Sequence, residues 1–182
     1  TFPIGGVGGD EPGRRLCDEM VRAGLDIRYV STLPHVQTMN CICIMYPDGS
    51  GGNLTVADSA CAHVGPCAVR KAEPEFNRYK ARGLALAVPE VPLAARDELL
   101  ECATRYGFLR AASFTSAEMR DSSVPAMLNK TDLLVINRDE AASLASADAG
   151  ASMERLAGKA VEHLTSIQPA IWAIMTAGRE GS

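Results

Sequence analysis

The sequence predicts an α/β fold: a doubly wound, mainly parallel sheet with a small β-hairpin. Three observations carry this. In the second half, short apolar runs alternate with segments of helical periodicity, the order that winds a parallel sheet. Those runs are apolar at nearly every position, as strands are when both faces are covered. In the first half, a stretch rich in β-formers is broken by Tyr46-Pro47-Asp48-Gly49-Ser50-Gly51-Gly52, a reversal signal.

Taken in order, Phe2–Val7 is a short apolar run ending in glycines. A helix follows from about Glu11 to Ala23, with Leu16, Met20 and Val21 on one face and Gly24 as its C′ residue. Leu25–Val30 reads as a strand. Thr38–Tyr46 and Asn53–Ala57 are the two arms of the hairpin. Leu84–Val88 is apolar, Leu93–Tyr106 is helical and closed by Gly107, and Phe108–Ser113 is a strand. Ser122–Asn129 is a short helix, and Asp132–Ile136 a β-branched strand. Asp139–Leu144 and Ser152–Leu164 are helical, the second with Leu156, Ala157, Ala160, Val161 and Leu164 on one face. Ala170–Met175 is the last strand. No internal repeat or low-complexity tract interrupts the pattern.

Composition limits the function. Apolar residues make up 47% and charged residues 22% of 182, enough for a core and too apolar for disorder. Eighteen basic against 22 acidic residues give a net charge of −4, which argues against a nucleic-acid partner. Aromatics, at 5%, are too few for a base-stacking platform. The charge-free run Tyr29–Pro47 holds His35, Gln37, Asn40 and two prolines, and Leu164–Gly178 is broken by Gln168 and Pro169. Neither supplies the roughly 20 apolar residues of a membrane span. The opening Thr-Phe-Pro-Ile has neither an export signal nor an initiator Met, so the sequence reads as the middle of a longer chain. Six cysteines are too sparse for a disulfide scaffold and are expected as reduced thiols in the cytoplasm.

Several motifs could carry chemistry. Gly5-Gly6-Val7-Gly8-Gly9-Asp10-Glu11-Pro12-Gly13 fits neither a dinucleotide fingerprint nor a P-loop, because Glu11, Arg14 and Arg15 stand where glycine, lysine and a hydroxyl residue are needed. It suits a tight strand-to-helix turn with Asp10 at the helix start. Cys41-x-Cys43 and Cys61-x-His63-x₃-Cys67 lack zinc spacing and suit packing better. Asn137-Arg138-Asp139-Glu140 follows directly on an apolar strand, where α/β folds place ligands. On spacing alone it reads better as a capping box. Thr176-Ala177-Gly178-Arg179-Glu180-Gly181 also follows a strand, and its glycines permit close backbone approach. Glu90 lies just past a strand, between Pro89 and Pro92.

In this order the pieces resemble the ribokinase-like, or PfkB, carbohydrate kinases. The opening resembles that family's strand–Gly-x-Asp-x-x-Gly turn, and Gln37-Thr38 to Asp48-Gly49 its lid hairpin. Val88-Pro89-Glu90-Val91-Pro92-Leu93 is similar to a substrate-side segment. Asn137-Arg138-Asp139-Glu140 matches the Asn-x-x-Glu motif, the most specific mark. Met175 to Gly181 resembles the Thr-x-Gly-x-x-Gly strand end that lines the nucleotide. The family's first substrate-binding strand, its Gly-Gly-x-x-x-Asn segment and its catalytic Gly-Ala-Gly-Asp are not among these residues. The likeness thus covers the central part of one ribokinase-like α/β domain, residues 1–182, with the lid hairpin at 38–57 inserted in it.

The resemblance implies an ATP-dependent phosphotransferase acting on a sugar or sugar-like hydroxyl, with Mg²⁺ and ATP. Asn137 and Glu140 would organise the Mg²⁺–phosphate shell, Glu140 through water. Thr176, Gly178 and Gly181 would line the nucleotide. Glu90, Met39 and Cys41 would face the acceptor, with Cys43 beside them, while the hairpin excludes water. The base would be an Asp outside these residues. The hairpin carries Met39, Cys41, Cys43 and Met45 on one face and Ile42, Ile44 and Tyr46 on the other, and such a two-sided apolar arm implies a homodimer through the lid. A non-catalytic ligand-binding protein of the same fold is the alternative, and a replaced Asp in the downstream segment would favour it.

Overall fold

A computed structural model describes residues 1–47, 51–148, 150–178 and 181–182. The tip residues Asp48-Gly49-Ser50 and the pair Arg179-Glu180, both within motifs named above, lie outside the described residues. The chain forms two compact units. The first is residues 1–72 with 90–95; the second is 73–89 with 96–182.

In the first unit, β1 (Ile4–Gly8) and β2 (Tyr29–Leu33) pair in parallel, Ile4 against Tyr29 through Gly8 against Leu33. Between them runs α1 (Glu11–Arg22), capped by Asp10, whose Oδ1 accepts from Gly13 N at 3.0 Å. Strand β2 begins four residues later than the apolar run Leu25–Val30 suggested. Asp26 turns the chain first, accepting from the backbone N and the guanidinium of Arg28. The expected apolar face of α1 is not buried: Leu16 and Val21 are exposed, and Gly13 alone is buried on the helix.

β3 (Cys41–Met45) and β4 (Gly51–Thr55) form the expected antiparallel hairpin, Cys41 opposite Thr55 and Met45 opposite Gly51. Every residue of both strands is exposed. A 3₁₀ turn, Ala60–His63, and α2 (Pro66–Lys71) complete the unit. Ala60, Val64 and Val69 form its small core with Val7.

The second unit holds a four-stranded, all-parallel sheet in the order of the sequence: β5 (Leu84–Ala87), β6 (Leu109–Ala112), β7 (Leu133–Asn137), β8 (Trp172–Thr176). The connections carry α4 (Leu93–Arg105), which belongs to this unit from Arg96 onward, α5 (Val124–Leu128), α6 (Arg138–Leu144) and α7 (Met153–Ile167), after α3 (Glu73–Arg78). Helices at every crossover are what a parallel pairing requires. One face of the sheet, with Ala85, Ala87, Ala112, Leu134 and Ile136, packs into a core with Leu100, Met127, Leu156 and Leu164. The opposite face is apolar and open: Leu84, Leu86, Leu109, Trp172 and Ile174 are exposed, Trp172 at 77%. At the starting ends of β6 and β7, Arg110 and Asp132 form a two-pronged ion pair, which ties the neighbouring strands.

Candidate active site

Each strand of the second unit ends by handing the chain to a helix or turn, and the polar residues named above stand at those ends. Asn137 is the last residue of β7 and the N-cap of α6. Its Oδ1 accepts from Glu140 N at 2.9 Å, and Glu140 Oε2 accepts from Asn137 N at 2.8 Å. This is a complete capping box. It joins the two residues of the Asn-x-x-Glu motif and aligns both with the first turn of α6. Thr176, the last residue of β8, is the register partner of Asn137 on the adjacent strand. The strands are parallel and nearest neighbours, so the two residues share one end of the sheet.

Gly178 and Gly181 follow Thr176 along the chain. Gly181 N donates to Gly178 O at 3.2 Å, and Ala177 N donates to Gly181 O at 2.7 Å. Both glycines hold positive φ, 58° and 91°. A Cβ at either position would meet nothing within 4 Å, so the backbone here is open to an approaching group.

Glu140 sits in a setting unfavourable to its negative charge. Burial raises its carboxyl above the usual glutamate range, the Asn137 N–H opposes this, and the charges of Asp139 and Glu118 add to the rise. A positive ion nearby would oppose the charges of Asp139 and Glu118, though not the burial. Carboxylate and amide oxygens are hard donors, so the set suits Mg²⁺. Among the described residues, no three His, Cys, Asp or Glu side chains gather closely enough to hold a metal by themselves. All six cysteines are free, and His63 faces Asp58 at 3.4 Å.

Glu118 and its supports were not legible in the sequence. Glu118 Oε2 accepts from Thr115 N at 2.9 Å, and Thr115 Oγ1 accepts from Glu118 N at 3.3 Å. The spacing Thr115-x-x-Glu118 is the one signal that could have found it. Arg96 of α4, only 2% exposed, lies 2.8 Å from Glu118 Oε1, donates to Ser113 O at 3.2 Å and stacks over Phe114. Among the described residues, its Nε and Nη2 find no acceptor in hydrogen-bonding alignment.

Glu90, Met39 and Cys41 belong to the first unit. Glu90 is exposed, holds a left-handed φ of 75°, and adds to the raising of the Cys61 thiol after burial. That φ costs a residue with a Cβ about 1–2 kcal/mol. Met39 is half-buried at the hairpin root and Cys41 is exposed. Thr55 Oγ1 lies 3.6 Å from Cys41 Sγ.

The family model of the pfkB family carbohydrate kinases matches residues 1–182. A search of curated proteins finds no match. Among solved structures, ribokinase from Giardia lamblia is 16% identical with a TM-score of 0.81, over 97% of this chain and 53% of that one. Arabidopsis thaliana ribokinase complexed with ribose and ATP is 16% identical with a TM-score of 0.69, over 98% and 55%. A Burkholderia thailandensis nucleoside kinase in complex with inosine is 17% identical with a TM-score of 0.63, over 96% and 52%. At these identities the likeness shows the ribokinase-like fold. The chain spans about half the length of the structures it matches. The order of the motifs, the parallel topology and the match over every residue lead to one assignment: the chain belongs to the pfkB family of carbohydrate kinases.

Proposed function

We propose that this chain is the central part of an ATP-dependent phosphotransferase that moves the γ-phosphate to a hydroxyl of a sugar or sugar-like acceptor. The observation that carries the reading is the pairing of Asn137 with Thr176 at the carboxyl ends of adjacent parallel strands, with Glu140 locked to Asn137. Ligands of open parallel sheets bind at this end.

In this reading Thr176 and the open backbone at Gly178 and Gly181 line the nucleotide. Asn137 and Glu140 would hold Mg²⁺ at the phosphates, Glu140 through water. The ion would neutralise charge that develops during transfer. Glu90, Met39 and Cys41 face the acceptor, and the hairpin excludes water, which would otherwise compete as acceptor. The proton leaves the acceptor hydroxyl to a base supplied by the family's Gly-Ala-Gly-Asp segment, so no residue here takes that role. The exposed apolar arm fits a homodimer paired through the lid. Six free thiols fit a reducing, cytoplasmic setting.

The test is a coupled assay of the complete protein with ATP, Mg²⁺ and a panel of pentoses, hexoses and nucleosides. Magnesium-dependent turnover with at least one acceptor is expected. Tight sugar binding with no turnover would instead support the non-catalytic alternative.

A further inference from the structure

The hairpin is an arm whose strands are exposed along their whole length, so its direction is set at the root. That root is bound with unusual closeness. Thr38, three residues before β3, is only 6% exposed. Its Oγ1 donates to Asp10 Oδ1 at 2.5 Å, and its backbone N donates to Asp10 Oδ2 at 2.9 Å. The same Oγ1 accepts from Gly8 N at 2.9 Å. Asp10 Oδ1 also accepts from Gly13 N, as the cap of α1. One carboxylate therefore ties the start of a helix to the root of the hairpin, and the Thr38 hydroxyl adds the end of a strand.

The glycines of the Gly8-x-Asp10-x-x-Gly13 motif are the steric condition for this. A Cβ on Gly8 would lie 2.4 Å from Val36 O and 2.5 Å from Thr38 N. On Gly13 it would lie 2.3 Å from Gly8 O and 2.7 Å from Thr38 Oγ1. The returning leg is tied to the same place. Ala60 N donates to Gln37 O at 2.9 Å, and Val56 N donates to Asn40 O at 3.2 Å. The hydrogen bonds from Thr38 hold the Asp10 carboxyl below the usual aspartate range, so the clasp is ionised at neutral pH.

We propose that Asp10 and Thr38 are positioning residues for the acceptor: their clasp sets the angle at which the hairpin presents Met39 and Cys41. The acceptor role rests on the phosphotransferase reading, whereas the hold on the hairpin does not. A cap alone would need less. Serine at position 10 would still cap α1, but a hydroxyl oxygen that accepts from Gly13 N has one lone pair left and cannot also take both bonds from Thr38.

The experiment uses the complete protein and the variants Asp10→Ser, Thr38→Val and Thr38→Ser. Amide hydrogen exchange is read at Gly8, Thr38 and the hairpin, with β6 and β7 as internal reference. Steady-state kinetics use whichever pentose, hexose or nucleoside the wild type turns over fastest. Asp10→Ser and Thr38→Val should speed exchange at Gly8 and Thr38 about tenfold while sparing β6 and β7. They should raise the acceptor KM about five- to tenfold and leave the ATP KM unchanged. Thr38→Ser should restore both. Exchange that is unchanged, or that rises equally in β6 and β7, overturns the clasp even where the wild type is active. Equal rises in both KM values overturn the acceptor role. A wild type inactive on every acceptor overturns the phosphotransferase reading and the acceptor role with it, and exchange then decides the hold on the hairpin alone.

Discussion

On the phosphotransferase reading, folding and chemistry ask different things of the Glu140 carboxylate. Its pKa is raised, first by burial, so its ionised form is less favourable in the fold than in the unfolded chain. The stability it contributes is present below the ordinary glutamate pKa and is lost as pH rises through the raised value. Gln keeps the capping box but carries no charge. Glu140→Gln should therefore leave the melting temperature at pH 7 unchanged or slightly higher, while kcat falls about tenfold or more and the magnesium requirement rises. A variant that melts lower and keeps full turnover would mark Glu140 as structural only. Asp132 shows the opposite sign. The hydrogen bond from Arg110 lowers its pKa, so its contribution is present above the unfolded value and fades as pH falls through the lowered one. Arg110→Met should cost about 1–3 kcal/mol at pH 7 in urea denaturation and flatten the loss of stability in acid.

The strands of the second unit were legible to within one or two residues, because each is a short apolar run bounded by turn residues. Helices α2 and α3 were not. Each has only six residues and one buried apolar side chain, Val69 and Phe76, too few to establish a period. Pro66 and Pro74, both at first-turn positions, were the available signals. The clasp escaped for another reason: Asp10 and Thr38 are 28 residues apart, and nothing local in either marks the pairing. The capping box at the end of β7 was legible in the spacing, which could not divide its structural role from its chemical one. Variants can. Asn137→Ala should cost about 1 kcal/mol of stability through the lost cap. Asn137→Ser keeps a cap and should keep most of that stability, yet should still lower turnover if the amide serves the phosphates. Equal turnover in the wild type and Asn137→Ser would leave the cap as its whole role. Leu134, fully buried in β7, gives the scale for a core loss: Leu134→Ala should cost about 2–5 kcal/mol in the same denaturation.

For the whole molecule, the fold class was legible, and the open sheet face was not. The periodicity of Leu84–Val88 implied cover on both sides, whereas Leu84, Leu86, Leu109 and Trp172 are exposed in a chain about half as long as its structural relatives. Residues 1–182 expressed alone should show no sugar-dependent ATP consumption in the coupled assay, since no carboxylate base is assigned within them. The complete protein should scatter light as a dimer, and Ile42→Glu on the exposed hairpin should make it a monomer. A wild-type monomer at high micromolar concentration would end the lid-dimer proposal. The sheet order β5-β6-β7-β8 has a consequence for synthesis. Each of β6, β7 and β8 pairs with the strand made just before it. Domains fold from the N-terminus as they are made, and here the four strands can be laid down like courses of brick, in the order in which the message is read.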